Sequence, residues 1–243
     1  MIGIYDSGIG GLGIFNAIRA ILPQEHMRYF GDTAHFPFGT KPAKTVQQLT
    51  LAGLQRLATD CNIIVIACNT ASVNDLDYYR AQINVPIIGV VPVIKTAAQL
   101  TENNIIALLA TPVTVQAPYT ETLIQQFAPD KQVMKLGCTD LADAIESGKV
   151  TTALLERYLT HLRADVVVLG CTHYTLIKGQ IQQLVGPDVK VIDSNEAVAR
   201  QVLRIMQRDE LFQPHVKAHY HFECSGDTKI FLKQVKKYTG LAH

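Results

Sequence analysis

The chain has 243 residues, 48% of them hydrophobic, and carries 22 Lys and Arg against 21 Asp and Glu, a formal charge of +1. So even a balance, with no basic stripe or acidic tail, argues against nucleic acid or a membrane surface as the main partner and allows one large or two small globular domains. Five cysteines, an odd number with no CxxC pair, do not make a disulfide framework and suit free thiols in a reducing, cytoplasmic setting.

The chain opens "MIGIYDSGIGGLG", without the charged and apolar regions of a signal peptide, and no stretch approaches the roughly 20 apolar residues of a spanning helix. A first strand is expected over 1–6. Gly8-x-Gly10-x-x-Gly13 follows it and leads into the helical pattern "GLGIFNAIRAIL". This is a dinucleotide fingerprint, and Asp32, 19 residues beyond Gly13, stands where a ribose-binding acid could lie. Against that reading, Asp6 would set a carboxylate beside a pyrophosphate. A tight glycine turn that presents Asp6, Ser7 and backbone N–H groups to a small zwitterion serves equally well.

Further strands are expected over 27–31, 62–67, 86–91, 104–109, 132–136, 165–169, 189–193 and 217–222. Between them lie segments such as "TVQQLTLAGLQRLA", with apolar residues at helical spacing. Alternation of this kind predicts an α/β fold of mostly parallel sheet covered by helices.

The pattern also repeats. "IIVIACNTAS", ending at Ser72, and "VVVLGCTHYT", ending at Thr175, keep one phase and place Cys68 and Cys171 103 residues apart. "RYFGDT" and "MKLGCT", "VPIIGVV" and "DVKVIDS", and "IGIYDSG" and "IALLATP" pair at similar offsets. Two similar parallel-sheet α/β domains related by a pseudo-twofold axis are therefore expected: 1–92 plus 207–243, and 93–206. The last strand and helix have no counterpart and are expected to pack back on the first half. Ligands of such sheets bind beyond the carboxyl ends of the strands, so Cys68 and Cys171 would face one crevice between the domains.

Cys61, Cys138 and Cys224 read as small buried hydrophobes. Cys68 and Cys171 differ, because each leaves an apolar strand for a cluster of hydrogen-bonding groups. Each also opens a helix, where N–H groups and the dipole lower a thiol pKa. A metal would need further ligands at short spacing, and none accompany them. Two equivalent thiols on opposite sides suit inversion at carbon: one removes a proton from one face and the other returns a proton to the opposite face. Asp6 reads either as a strand-end turn residue or as a group that binds an ammonium or orients Cys68. His173 either caps its helix or supplies the proton balance of Cys171. Asn69, Thr70 and Thr172 read both as helix N-caps and as ligand hydrogen bonders. His215, His219, His221 and Cys224 invite a metal reading, but their spacing matches no standard zinc site, and a half-exposed edge strand is the plainer account.

The motifs "YDSGIGGL", "GDTAHFPFG", "ACNTAS", "ATPVTV", "LGCTHY" and "VIDS" resemble, in order and spacing, those of the glutamate racemases of bacterial peptidoglycan synthesis. The resemblance runs from Ile2 to the closing helix. It implies cofactor-independent interconversion of L- and D-glutamate, with no metal and with glutamate as the small-molecule partner. It also allows a homodimer. Carried over by motif, Cys68 would act on the α-proton of the D-isomer and Cys171 on that of the L-isomer, assisted by Asp6 and His173 respectively. Ser7, Gly39, Asn69, Thr70 and Thr172 would bind the substrate. Thr111 and Thr114 match a threonine pair of the family, and Glu146 falls where the family has a glutamate near the second thiol. Two segments depart from the pattern: Phe38 stands where the loop usually has tyrosine, and "GCTDLADAIESG" replaces a more apolar, proline-containing run. Lacking an N-terminal extension, the chain is not expected to be activated by a cell-wall precursor. An aspartate racemase or related amino-acid racemase on the same scaffold is the alternative, and a dinucleotide-dependent oxidoreductase a more distant one.

Overall fold

The computed structural model describes residues 1–213 and 217–241. Its first sheet is built from β1 (Ile2–Asp6), β2 (Met27–Gly31), β3 (Ile63–Ile66), β4 (Ile87–Gly89) and β9 (Tyr220–Cys224), in the order β4-β3-β1-β2-β9. The second uses β5 (Ile105–Ala110), β6 (Gln132–Gly137), β7 (Val166–Leu169) and β8 (Lys190–Ile192), in the order β6-β5-β7-β8. All pairings are parallel. Read from the other edge, the second sheet runs β8-β7-β5-β6, which repeats β4-β3-β1-β2 strand for strand. β9 is the unmatched addition, and it pairs with β2 of the first sheet. It begins three residues later than predicted.

Burial explains the strand sequences. β1, β3 and β7 are buried throughout; β3 and β7 are apolar without interruption, and β1 is interrupted only by Asp6 at its end. Side chains alternate between two cores per sheet. Ile2, Ile4, Ile63 and Val65 face one side of the first sheet, and Tyr5, Phe30, Ile64 and Ile66 the other. Likewise Ala107, Leu109, Val167 and Leu169 oppose Ile106, Leu108, Val166 and Val168. The second sheet's edge strand β6 has no fully buried residue.

The helices between the strands include α1 (Leu12–Ile21), α2 (Ala43–Leu57), α3 (Asn69–Gln82), α4 (Ile94–Leu100), α5 (Pro112–Gln116), α6 (Pro118–Phe127), α7 (Leu141–Glu146), α8 (Thr152–Leu159), α9 (Thr172–Thr175), α10 (Lys178–Val185), α11 (Asn195–Arg208) and α12 (Thr228–Thr239). α1 buries Leu12, Ile14, Phe15 and Ile18. α11 buries Val198, Ala199, Val202, Ile205 and Met206 in that same first core, although the division at 206/207 assigns this helix to the second half. The chain thus passes between the halves near residues 90–93 and again near 193–195. The two passages meet where Ser194 Oγ donates to the Val91 carbonyl at 2.7 Å.

Candidate active site

Both cysteines singled out by the repeat end a central strand and cap a helix: Cys68 is the N-cap of α3 and Cys171 that of α9. Both line one cavity at the carboxyl ends of the two sheets. Ser7, Phe38, Gly39, Asn69, Thr70, Thr111, Thr172 and His173 line it with them. The strand-end placement follows from parallel topology, since every βα turn of a parallel sheet opens on the same edge.

Three expected site residues stand behind this surface rather than on it. Asp6 is fully buried, its Oδ1 accepting the Gly8 N–H at 2.8 Å and its Oδ2 the Thr172 hydroxyl at 3.0 Å. The cavity wall thus presents Thr172 and Cys68, with Asp6 behind them. Thr114 closes a triangle of hydroxyls with the cavity residues Thr70 and Thr111, at 3.3 and 2.9 Å, while Thr70 and Thr111 are 3.0 Å apart. This triangle joins α3 of the first half to α5 of the second. Glu146 lies beyond His173, where its Oε2 sits 2.7 Å from His173 Nε2 and accepts the Ile9 N–H at 3.1 Å.

The electrostatics differ on the two sides. The Cys68 thiol is pushed up to about 12, by burial first and then by the charge of Asp6, against the lowering effect of Ser7 and the Ala71 N–H. Ser7 Oγ lies 3.4 Å from its sulfur. The expected lowering at the helix start is thus outweighed by desolvation. Burial also raises the Asp6 carboxyl. For His173, burial opposes protonation, but hydrogen bonding to Cys171 and Glu146 prevails and raises the imidazole well above its ordinary value. His173 therefore has polar partners in both Cys171 and Glu146 and is more than a helix cap.

Several wall residues lacked a signal in the chain. Phe36 stacks its ring 5.0 Å from that of His173. Cys138, read as a core residue, reaches the cavity, as do Thr139 and Asp143. Cys138 and Thr139 follow β6 as Asp32 and Thr33 follow β2, a strand-end position that already sets Cys138 apart from a plain core cysteine. Asn69 contributes a buried Nδ2 without a protein partner, a donor left for whatever fills the cavity.

The glycine fingerprint has another purpose here. A Cβ at Gly8 would stand 2.5 Å from the Glu146 carboxylate, and one at Gly10 would stand 2.5 Å from His173 Nδ1. At Gly13 it would stand 2.7 Å from Asn195 Nδ2. The space a pyrophosphate needs is filled by the other half of the chain, and Asp32 is held by His35 and Ser225. Among the described residues no group of three His, Cys, Asp or Glu could hold a metal. His219 and His221 lie at and beside the edge strand β9, and His215 falls outside the described residues. No helix among the described residues is long and apolar enough to cross a membrane.

Comparisons with known proteins agree with this geometry. A glutamate racemase of Glaesserella parasuis serovar 5 is 35% identical over 96% of this chain and 91% of its own length. The crystal structure of Escherichia coli glutamate racemase with L-glutamate and the activator UDP-MurNAc-Ala superposes with a TM-score of 0.87 at 32% identity, covering 98% of this chain and 94% of that one. The Francisella tularensis glutamate racemase with D-glutamate gives 0.85 at 28% identity, covering 99% and 93%. A family model for Asp/Glu/Hydantoin racemases matches residues 13–202, and with it the chain belongs to that family.

Proposed function

We propose that this protein interconverts L- and D-glutamate without a cofactor, using Cys68 and Cys171 as paired acid and base, and so supplies D-glutamate for peptidoglycan precursors in the cytoplasm. The observation that carries the reading is the meeting of two thiols, from equivalent strand ends of a duplicated fold, in one cavity. The curated relatives and solved neighbours named above support glutamate as the substrate.

From L-glutamate, the Cys171 thiolate takes the α-proton, and the electron pair left on Cα delocalises into the α-carboxylate. Cys68, which holds its proton firmly, delivers it to the opposite face of Cα. The step leaves Cys171 as thiol, Cys68 as thiolate and D-glutamate as product, and the reverse direction exchanges the roles. His173, paired with Glu146, holds the proton that Cys171 gives up beforehand. Ser7, Asn69, Thr70, Thr111 and Thr172 supply hydrogen bonds to the ammonium and carboxylates, and the free Asn69 amide is a ready donor to one of them.

The test is incubation with L-glutamate in deuterated water, without added cofactor, followed by circular dichroism and mass spectrometry. The optical signal should decay, and early product D-glutamate should carry solvent deuterium while recovered L-glutamate does not. Cys68→Ser and Cys171→Ser should each lose about a thousandfold or more, since a serine hydroxyl is far too weak a base. Near-normal turnover by either variant overturns the two-thiol mechanism. Faster turnover of aspartate than of glutamate moves the assignment to aspartate.

A further inference from the structure

The segment β9–α12 has no counterpart in the second half, yet two of its contacts lead to the same catalytic side chain. At the end of β9, Ser225 Oγ donates to Asp32 Oδ1 at 2.6 Å and accepts the Ala34 N–H at 3.0 Å. Beside it, the Gly226 N–H donates to Thr33 Oγ1 at 3.1 Å. These bonds hold the first residues of the 33–40 loop, which carries Phe36 against the His173 ring. Further along, on α12, Gln234 Nε2 donates to the Glu146 carbonyl at 3.2 Å. Glu146 in turn holds His173 Nε2.

His173 is therefore gripped twice, on its face by Phe36 and at its nitrogen by Glu146, and each grip is tied to β9–α12. Cys68 is held by other elements, namely Ser7 and the start of α3. We propose that Ser225 and Gln234 are positioning residues for His173, and through it for proton transfer at Cys171 rather than at Cys68. For catalysis this rests on the glutamate-racemising reading above. The physical reason is that proton transfer tolerates little misplacement: a shift of about 1 Å can cost on the order of a hundredfold in rate.

The test uses the full chain with Ser225→Ala, Ser225→Thr and Gln234→Met. The two enantiomers have equal free energy, so kcat/KM must be the same in both directions and cannot reveal a one-sided defect. Isotope effects with α-deuterated L- and D-glutamate can. Ser225→Ala and Gln234→Met should each lower kcat/KM by about tenfold or more. They should also enlarge the isotope effect on L-glutamate and shrink that on D-glutamate. Ser225→Thr keeps the hydroxyl and should restore wild-type behaviour. Lost activity with an unchanged ratio of the two isotope effects, a shift in the opposite sense, or unchanged kinetics overturns the proposal.

A second measurement needs no substrate. Iodoacetamide labelling, followed by peptide mapping, should slow severalfold at Cys171 in both variants and stay within about twofold at Cys68. Equal labelling of variants and wild type refutes the positioning role. Inactivity of the wild type toward glutamate refutes the functional reading alone, since the labelling comparison still decides the other. If Ser225→Ala fails to fold, Gln234→Met, whose side chain is part-buried on α12, carries both measurements.

Discussion

Cys68 shows two influences acting on one sulfur. Its place at the start of α3 offers N–H groups to a thiolate, while burial and the Asp6 carboxylate oppose the charge. Burial prevails because desolvating an ion moves a pKa by several units, more than a helix terminus returns. At pKa about 12 the group carries its proton throughout the neutral range. Its alkylation by iodoacetamide, read by peptide mapping, should therefore rise about tenfold per pH unit across roughly pH 7–10. A plateau below about pH 9 would contradict this ordering of forces. Phe38 is the other informative residue, fully buried in the first half and facing the cavity. A tyrosine there would add one neutral hydrogen bond, worth about 0.5–1.5 kcal/mol, and tenfold in rate corresponds to about 1.4. Phe38→Tyr should thus change kcat/KM for glutamate by less than about tenfold. Steady-state kinetics on that variant check it, and a gain of about a hundredfold would show that the wild-type loop is impaired for this substrate.

The elements owe their close approach to a few glycines, and these respond oppositely to one substitution. The turn between β1 and α1 packs directly on α9, so a Cβ at Gly10 would stand 2.7 Å from the His173 backbone nitrogen. Backbone cannot yield as a flexible side chain can, so Gly10→Ala should displace His173 and lower kcat/KM by about a hundredfold. Gly179, near the start of α10, has nothing within 4 Å of such an atom. Gly179→Ala should leave kinetics unchanged and stabilise the fold by about 0.4–1 kcal/mol, by restricting the unfolded chain. Urea midpoints and initial rates on the two variants separate a contact glycine from a merely tolerated one. The reverse pattern would mean that the halves do not meet at the β1 turn.

At the scale of the molecule, two equivalent sheets place their strand ends on a shared crevice, and the joints between them run through the residues of the proposed catalytic site. Asp6 of the first half holds Thr172 of the second, and the Ile9 N–H holds Glu146. Global stability is therefore linked to the ionisation of the site. His173 has a raised pKa in the folded state, so its contribution is fully present below the unfolded value of about 6.5 and is lost as pH rises through the folded value. Urea denaturation of wild type and His173→Gln should show the widest gap below about pH 6.5, narrowing towards alkaline pH. A gap independent of pH would mean that folding leaves the imidazole pKa unshifted, and a gap that widens with pH would mean that the imidazole is neutral in the fold.

Nine strands, their parallel arrangement and the duplication were legible along the chain. Those features are written in local terms: strands three to six residues long, apolar where both faces are covered, helical spacing between them, and small polar residues where several of the strands stop. The two thiols were legible for the same reason, since each stands one small residue beyond its strand. What needed the folded chain is whatever depends on residues far apart in sequence. α11 follows β8 directly, yet its apolar stripe is buried by α1 and the first sheet, and amphipathic spacing does not say which core will take it. The glycine pattern after β1 has the form of a phosphate cradle, and only the arrival of His173, Glu146 and Asn195 reveals that its empty space is filled by protein. Phe36, Cys138 and Asp143 join the cavity by the same kind of distant convergence. Even the acidity of Cys68 inverts an expectation drawn from its helix, because desolvation is a property of the whole surroundings and a helix start is a property of a few neighbouring residues.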